Sequence, residues 1–136
     1  MISIVDDDES VRESLEGLLR SVGFRVKTFE GAEDFLDSEQ LEQTQCLILD
    51  VTLGGMSGLE LQRSLIARSY WVPIVFITAH GEEAVRAQAL SDGAVDCLVK
   101  PFSEEALLAA VEKALTVTAS NEEGSRNGEA QGKTEG

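Results

Sequence analysis

Five short apolar runs alternate with five helical stripes, and the links between them are short. No other feature restricts the fold as strongly. The runs are residues 2–5, 24–29, 46–49, 74–77 and 94–99. Between them, Val11, Leu15, Leu18, Leu19 and Val22 recur at helical spacing, as do Leu59, Leu61, Leu65 and Ile66, and finally Leu107, Leu108, Val111 and Leu115. Weaker stripes cover 32–41, through Phe35 and Leu36, and 82–91, through Val85 and Ala89. Strand and helix in strict alternation predict an α/β domain with a parallel sheet covered on both faces. Right-handed crossovers then leave few topologies open.

Local punctuation supports these boundaries. Asp8 is placed to cap the first helix, with acids in its first turn, and Gly23 to end it. Arg25, Lys27 and Thr28 interrupt the second run, which predicts a half-exposed strand at an edge defended by charge. Gly54, Gly55 and Gly58 make the loop after the third strand permissive in φ/ψ. Gly93 ends the fourth helix, and Ser103 is a good cap for the fifth.

Four of the five strands end in side chains able to do chemistry. Asp6 and Asp7 follow the first, Asp50 the third, Thr78 the fourth and Lys100 the fifth, while the second ends in Phe29. In a doubly wound sheet the ligand crevice lies beyond the carboxyl ends of the strands. Carboxylates packed there repel and raise at least one pKa, a conflict that a hard divalent cation removes. Mg2+ takes oxygen ligands and shares its shell with phosphate oxygens. Lysine offers a compact charge and threonine one hydroxyl donor for a bound phosphoryl group. Asp50, between the acid pair and the lysine, is the expected nucleophile for an aspartyl phosphate. Asp8 and Glu9 are read only as a cap and a first-turn charge.

Composition excludes other classes. A net charge of -14 on 136 residues repels a phosphate backbone, so direct nucleic-acid binding by this segment is not expected. The longest apolar run, 71–77, is interrupted by Pro73 and far too short to cross a bilayer. A strand pattern begins at Ile2 with no basic leader, and the chain is expected to be cytoplasmic. Cys46 and Cys97 lie in apolar runs without metal or redox spacing and are expected in the core. The glycines near position 54 lack the GxxxxGK[ST] spacing of a phosphate loop. From 119 to 136 the chain has no apolar anchor, and a disordered acidic tail or linker remnant is expected there.

The segments IVDDDESVRESL, LILDVTLGGMSGLEL, PIVFITAHG and LVKPF, in this order, resemble the receiver domain of two-component response regulators. The likeness covers residues 2–118 and is closest to the subfamily that usually precedes a helix-turn-helix DNA-binding domain. It implies a five-stranded parallel sheet in the flavodoxin-like order 2-1-3-4-5. It implies that Asp50 accepts a phosphoryl group from a histidine kinase or phosphotransfer protein. Asp7, Asp50 and the backbone carbonyl of Thr52 would hold Mg2+, with Asp6 acting mostly through water. Thr78 would bind phosphoryl oxygens and shift inward on activation, and Lys100 would pair with the group across a cis bond to Pro101. Small Ala79 would leave access to the phosphate, and Thr52 and His80 would flank the place where hydrolysis is tuned. The implied activity is Mg-dependent self-phosphorylation and slow dephosphorylation, without turnover of a separate substrate, in the service of transcription regulation.

Two departures stand out. Gly54 replaces the family's usual proline, and Cys97 falls where the family carries a switching aromatic ring. The readout face implied by the family is the fourth helix, fifth strand and fifth helix, where small Ala84, Ala87, Cys97 and Ala110 leave room for a partner or a second copy. The loss of the ring keeps open an alternative, an interaction module whose partner binding does not depend on phosphorylation. A dedicated hydrolase is disfavoured because position 52 carries no carboxylate to act as general acid. Flavin binding is disfavoured because four acids after the first strand would repel the cofactor phosphate.

Overall fold

In the computed structural model the described residues are 1–39, 41–79 and 82–131, the last stretch, 118–131, as backbone alone. The strands are β1 (Ile2–Val5), β2 (Val26–Phe29), β3 (Cys46–Asp50), β4 (Ile74–Thr78) and β5 (Asp96–Val99). The helices are α1 (Glu9–Ser21), α2 (Ala32–Leu36), α3 (Gly58–Ala67), α4 (Glu83–Ser91) and α5 (Glu104–Gln131), with a 3-10 turn at Leu41–Gln43. All strand pairs are parallel and the order is β2-β1-β3-β4-β5. This is the α/β doubly wound sheet that the alternation predicts, with β2 at one edge.

Side chains alternate across the sheet and build two cores. Ile2, Ile4, Cys46, Ile48, Val75 and Ile77 face Leu15 and Leu19 of α1 and Leu107, Ala110, Val111 and Ala114 of α5. Val5, Leu47, Leu49, Ile74, Phe76 and Cys97 face the opposite side, with Phe35 of α2, Leu61 and Leu65 of α3 and Ala89 of α4. Phe29 and Phe35 meet edge to face at 5.4 Å between ring centroids. Both cysteines are buried and free, as expected of core thiols, and burial pushes the Cys46 thiol up to about 12.

The capping expectations hold. Asp8 accepts from the backbone N–H of Ser10 and Val11, and the hydroxyl of Ser103 accepts from the N–H of Ala106. Ser57 and Glu60 form a reciprocal capping box at the start of α3. Two expectations are corrected. The second helix ends at Leu36 rather than near residue 41, and the chain then re-forms only as the short turn at Leu41–Gln43. Ile66, counted in the apolar stripe of α3, is 56% exposed, because the buried pair on that helix is Leu61 and Leu65. The backbone of α5 is helical as far as Gln131.

Candidate functional site

The site is assembled by the carboxyl ends of β1, β3 and β5 and the loops that follow them. Asp6 lies just past β1, and β1 pairs with β3 in register Val5↔Leu49. That pairing sets Asp6 beside Asp50, each one step beyond a paired residue. One ligand oxygen from each of Asp6, Asp7 and Asp50 lies within 4.8 Å of the others. Lys100 Nζ is 3.7 Å from Asp50 Oδ2. Asp50 is only 6% exposed and Asp6 1%, whereas Asp7 is open to solvent.

Backbone donors hold the carboxylates in place. The N–H of Thr52 donates to Asp50 Oδ1 at 3.0 Å, and that of Asp8 to Asp6 Oδ1 at 2.9 Å. The N–H of Gly54 reaches Asp7 Oδ2 at 3.3 Å. Arg12 donates to the main-chain oxygen of Asp6 at 2.7 Å, which ties the β1–α1 turn to the first helix. The loop after β3 is steadied by Glu33, whose carboxylate accepts from the N–H of Met56 at 3.2 Å.

The electrostatics are those of crowded acids. Burial pushes the Asp50 carboxyl up to about 6, against the hydrogen bond from Thr52; Asp6 and Asp7 raise it further and Lys100 opposes them. Burial also raises Asp6, partly countered by the hydrogen bond from Asp8 and by Lys100. Oδ2 of Asp6 is buried without a hydrogen-bond partner. A buried carboxylate oxygen with no donor, beside two more carboxylates, is the donor set a hard divalent cation requires. The cluster therefore fits such an ion.

Thr78 and Lys100 are joined through the backbone, where the N–H of Lys100 donates to the carbonyl of Thr78 at 2.9 Å. The Lys100–Pro101 bond is cis, as the resemblance implied. The Thr78 hydroxyl, however, donates to the Glu82 carboxylate, with the carbonyl of Ala79 a distant 3.5 Å away. Glu82 is the residue that sequence reasoning passed over except as a helix boundary. Four positions after Thr78 and just before α4, it gave no periodic signal. Ala79 is exposed beside the site, and His80 lies outside the described residues. Cys97 is buried on the α4 side of the sheet, and Arg86 reaches over from α4 so that its Nε lies 3.5 Å from the Cys97 carbonyl.

Residues 2–112 match the family model of the response regulator receiver domain, and the chain belongs to that family. It is a receiver domain whose aspartate cluster suits a phosphoacceptor in a two-component phosphorelay. It is 44% identical over 116 residues to the transcriptional regulatory protein TdiR of Thauera aromatica, covering 85% of this chain and 51% of that one. It is also 44% identical over 123 residues to the response regulator protein TmoT of Ectopseudomonas mendocina, covering 90% and 56%. The chain thus spans about half the length of these curated relatives. Among solved structures, the response regulator StyR superposes with a TM-score of 0.87 at 47% identity, covering 95% of this chain and 65% of StyR. FixJ-N superposes with a TM-score of 0.78 at 37% identity, covering 85% and 92%. Among the described residues no helix is long and apolar enough to cross a membrane.

Proposed function

We propose that the domain, residues 1–118, is a switch in which Asp50 takes a phosphoryl group from a histidine kinase or phosphotransfer protein. The observation that carries this reading is the buried Asp50 carboxylate, 3.7 Å from Lys100 and within ligand distance of Asp6 and Asp7. An Asp50 oxygen attacks phosphorus as the bond from phosphorus to the donor's leaving group breaks. The ionised carboxylate is the reactive form, so no proton has to be removed from it. Asp7, Asp50 and the carbonyl of Thr52 would hold Mg2+, with Asp6 behind them, and the ion would supply positive charge against the phosphoryl oxygens. Lys100 neutralises a further share of that charge, and Thr78 offers its one O–H.

The added group brings a charge of about -1.5 to -2 and biases a two-state surface. The face formed by α4, β5 and α5 is our candidate for readout, by a partner or by a second copy. Residues 119–136 act as a linker or tail, and the setting is the cytoplasm. One relative, TdiR, is a transcriptional regulatory protein, which supports an output in transcription regulation. The test is intact mass after incubation with MgCl2 and acetyl phosphate. One added phosphoryl group, absent in Asp50→Asn, is expected; no uptake by the wild-type chain would remove the reading.

A second reading, a partner-binding module indifferent to phosphorylation, draws on the small, buried Cys97 in place of a mobile ring. Sizing the protein by light scattering before and after phosphorylation separates the two. An unchanged oligomeric state together with unchanged partner affinity favours the second.

A further inference from the structure

The sheet's own alternation sets Thr78 apart from the rest of the site. Asp6 continues the parity of Ile2 and Ile4, and Asp50 that of Cys46 and Ile48, all on the α1/α5 face. Lys100 continues the parity of Leu98, which packs against the same face. Thr78 follows Ile74 and Phe76, which point to the α3/α4 face. Its backbone is fixed between strands, paired with Val99 and accepting from the N–H of Lys100. A β-branched side chain there has few staggered positions, and in the one adopted its hydroxyl is donated to Glu82.

A threonine hydroxyl has a single proton to donate. The carboxylate of Glu82 and a phosphoryl group on Asp50 are therefore rivals for it. Glu82 stands where α4 begins, accepting the N–H of Arg86 on its main-chain oxygen. Its carboxylate makes no cap to the helix, so the bond to Thr78 is not a by-product of capping. The side chain is half-buried, which strengthens a charged acceptor relative to one in open water.

Resting on the reading of Asp50 as acceptor, we propose that Glu82 is a positioning residue that withholds the Thr78 hydroxyl from the phosphoryl site. Phosphorylation then wins the hydroxyl away from Glu82 and frees the residue that leads into α4 from β4. This gives the domain a link from the site to α4 that needs no ring at position 97. The link runs through one hydrogen bond traded between two acceptors.

The test measures the initial rate of phosphorylation by acetyl phosphate and Mg2+ in wild type, Glu82→Ala and Glu82→Gln, each also in a Thr78→Ala background. With the charged acceptor gone, Glu82→Ala is expected to be phosphorylated about 10-fold faster, the lower end of what a hydrogen bond to a charged group is worth against water. Glu82→Gln, which keeps a neutral acceptor, should fall between the two. In the Thr78→Ala background the Glu82 substitutions should have no effect. Speeding that persists without the hydroxyl would assign the effect to charge repulsion alone and overturn the proposal. Equal rates for wild type and Glu82→Ala would overturn it as well. Failure of the wild-type chain to take up phosphoryl would instead strike the underlying reading of Asp50.

Discussion

Gly58 lies so close to Asp50 that a Cβ built on it would sit 2.4 Å from the Asp50 main-chain oxygen and 2.9 Å from the Cα of Val51. The contact is backbone against backbone, and the N–H of Gly58 donates to the carbonyl of Val51 at 3.0 Å. The start of α3 is thereby pressed against the strand end that carries the nucleophile. No side-chain rotation can relieve an added methyl. Gly58→Ala should push the two segments apart, costing about 1–3 kcal/mol as other overpacked sites do. It should also slow phosphoryl uptake, because the Thr52 N–H that steadies Asp50 lies on the displaced loop. Urea denaturation and the acetyl phosphate assay report the two effects separately.

The raised Asp50 carboxyl gives stability a distinctive pH dependence. Unfolded, this group titrates near 3.9; folded, burial holds it at about 6. From about pH 4 to pH 6 the folded chain thus keeps a proton that the unfolded chain has lost. Stability attributable to Asp50 is lost as pH rises through this window and stays low above it. The penalty at pH 7 is on the order of 3 kcal/mol. Asp50→Asn should abolish this component and be more stable than wild type at pH 7, with the difference shrinking as pH falls from about 6 to about 4. Millimolar MgCl2 should recover stability in wild type at pH 7 and far less in the variant, since a ligand that binds only the folded state stabilises it. Urea midpoints across pH 4–7, with and without the salt, measure all of this.

Much of the site was legible because it depends on strand ends. Four apolar runs that stop at Asp6, Asp50, Thr78 and Lys100 announce a shared rim whatever the details of packing. Helix placement followed from alternation, and the edge position of β2 from Lys27 and Thr28, whereas the full strand order came from the family resemblance. What stayed hidden was set by tertiary geometry. Helical spacing alone does not say which of Leu61, Leu65 and Ile66 faces the sheet, because adjacent positions 65 and 66 both fit a broad stripe. The Thr78–Glu82 bond joins the end of β4 to the residue before α4, where sequence spacing carries no direction. Gly58 could be read as a permissive loop residue, yet its φ is not in the left-handed region and its role is close approach.

Neighbouring positions 65 and 66 give a direct check on which face of α3 is buried. Leu65 is 2% exposed within the α2–α4 core, and Leu65→Ala should cost about 2–5 kcal/mol by leaving a cavity. Ile66→Lys should change stability by no more than about 0.5 kcal/mol, as surface substitutions do. If the sequence stripe were right, both would be severely destabilising. Thermal or urea unfolding of the two variants decides the matter.

Gly54 differs from its neighbours in a way that bears on the acid cluster. A Cβ there meets nothing within 4 Å, and its φ lies outside the left-handed range, so a side chain is tolerated. Its N–H donates to Asp7 Oδ2, a bond that proline, the residue the family usually carries here, is unable to make. Gly54→Ala keeps the donor and restricts the unfolded chain, so it should stabilise by about 0.4–1 kcal/mol. Gly54→Pro restricts the unfolded chain too but removes the donor from an exposed carboxylate. Its stability should therefore match or fall below that of Gly54→Ala, and Asp7 should be left freer to turn. The two variants together isolate the N–H, since both lose the glycine and only one loses the bond. Calorimetric titration with MgCl2 should show Gly54→Ala close to wild type and Gly54→Pro shifted in affinity by a few-fold, about the worth of one solvent-exposed hydrogen bond. Equal Mg2+ affinities in the two variants would mean that the Gly54 N–H has no hold on Asp7.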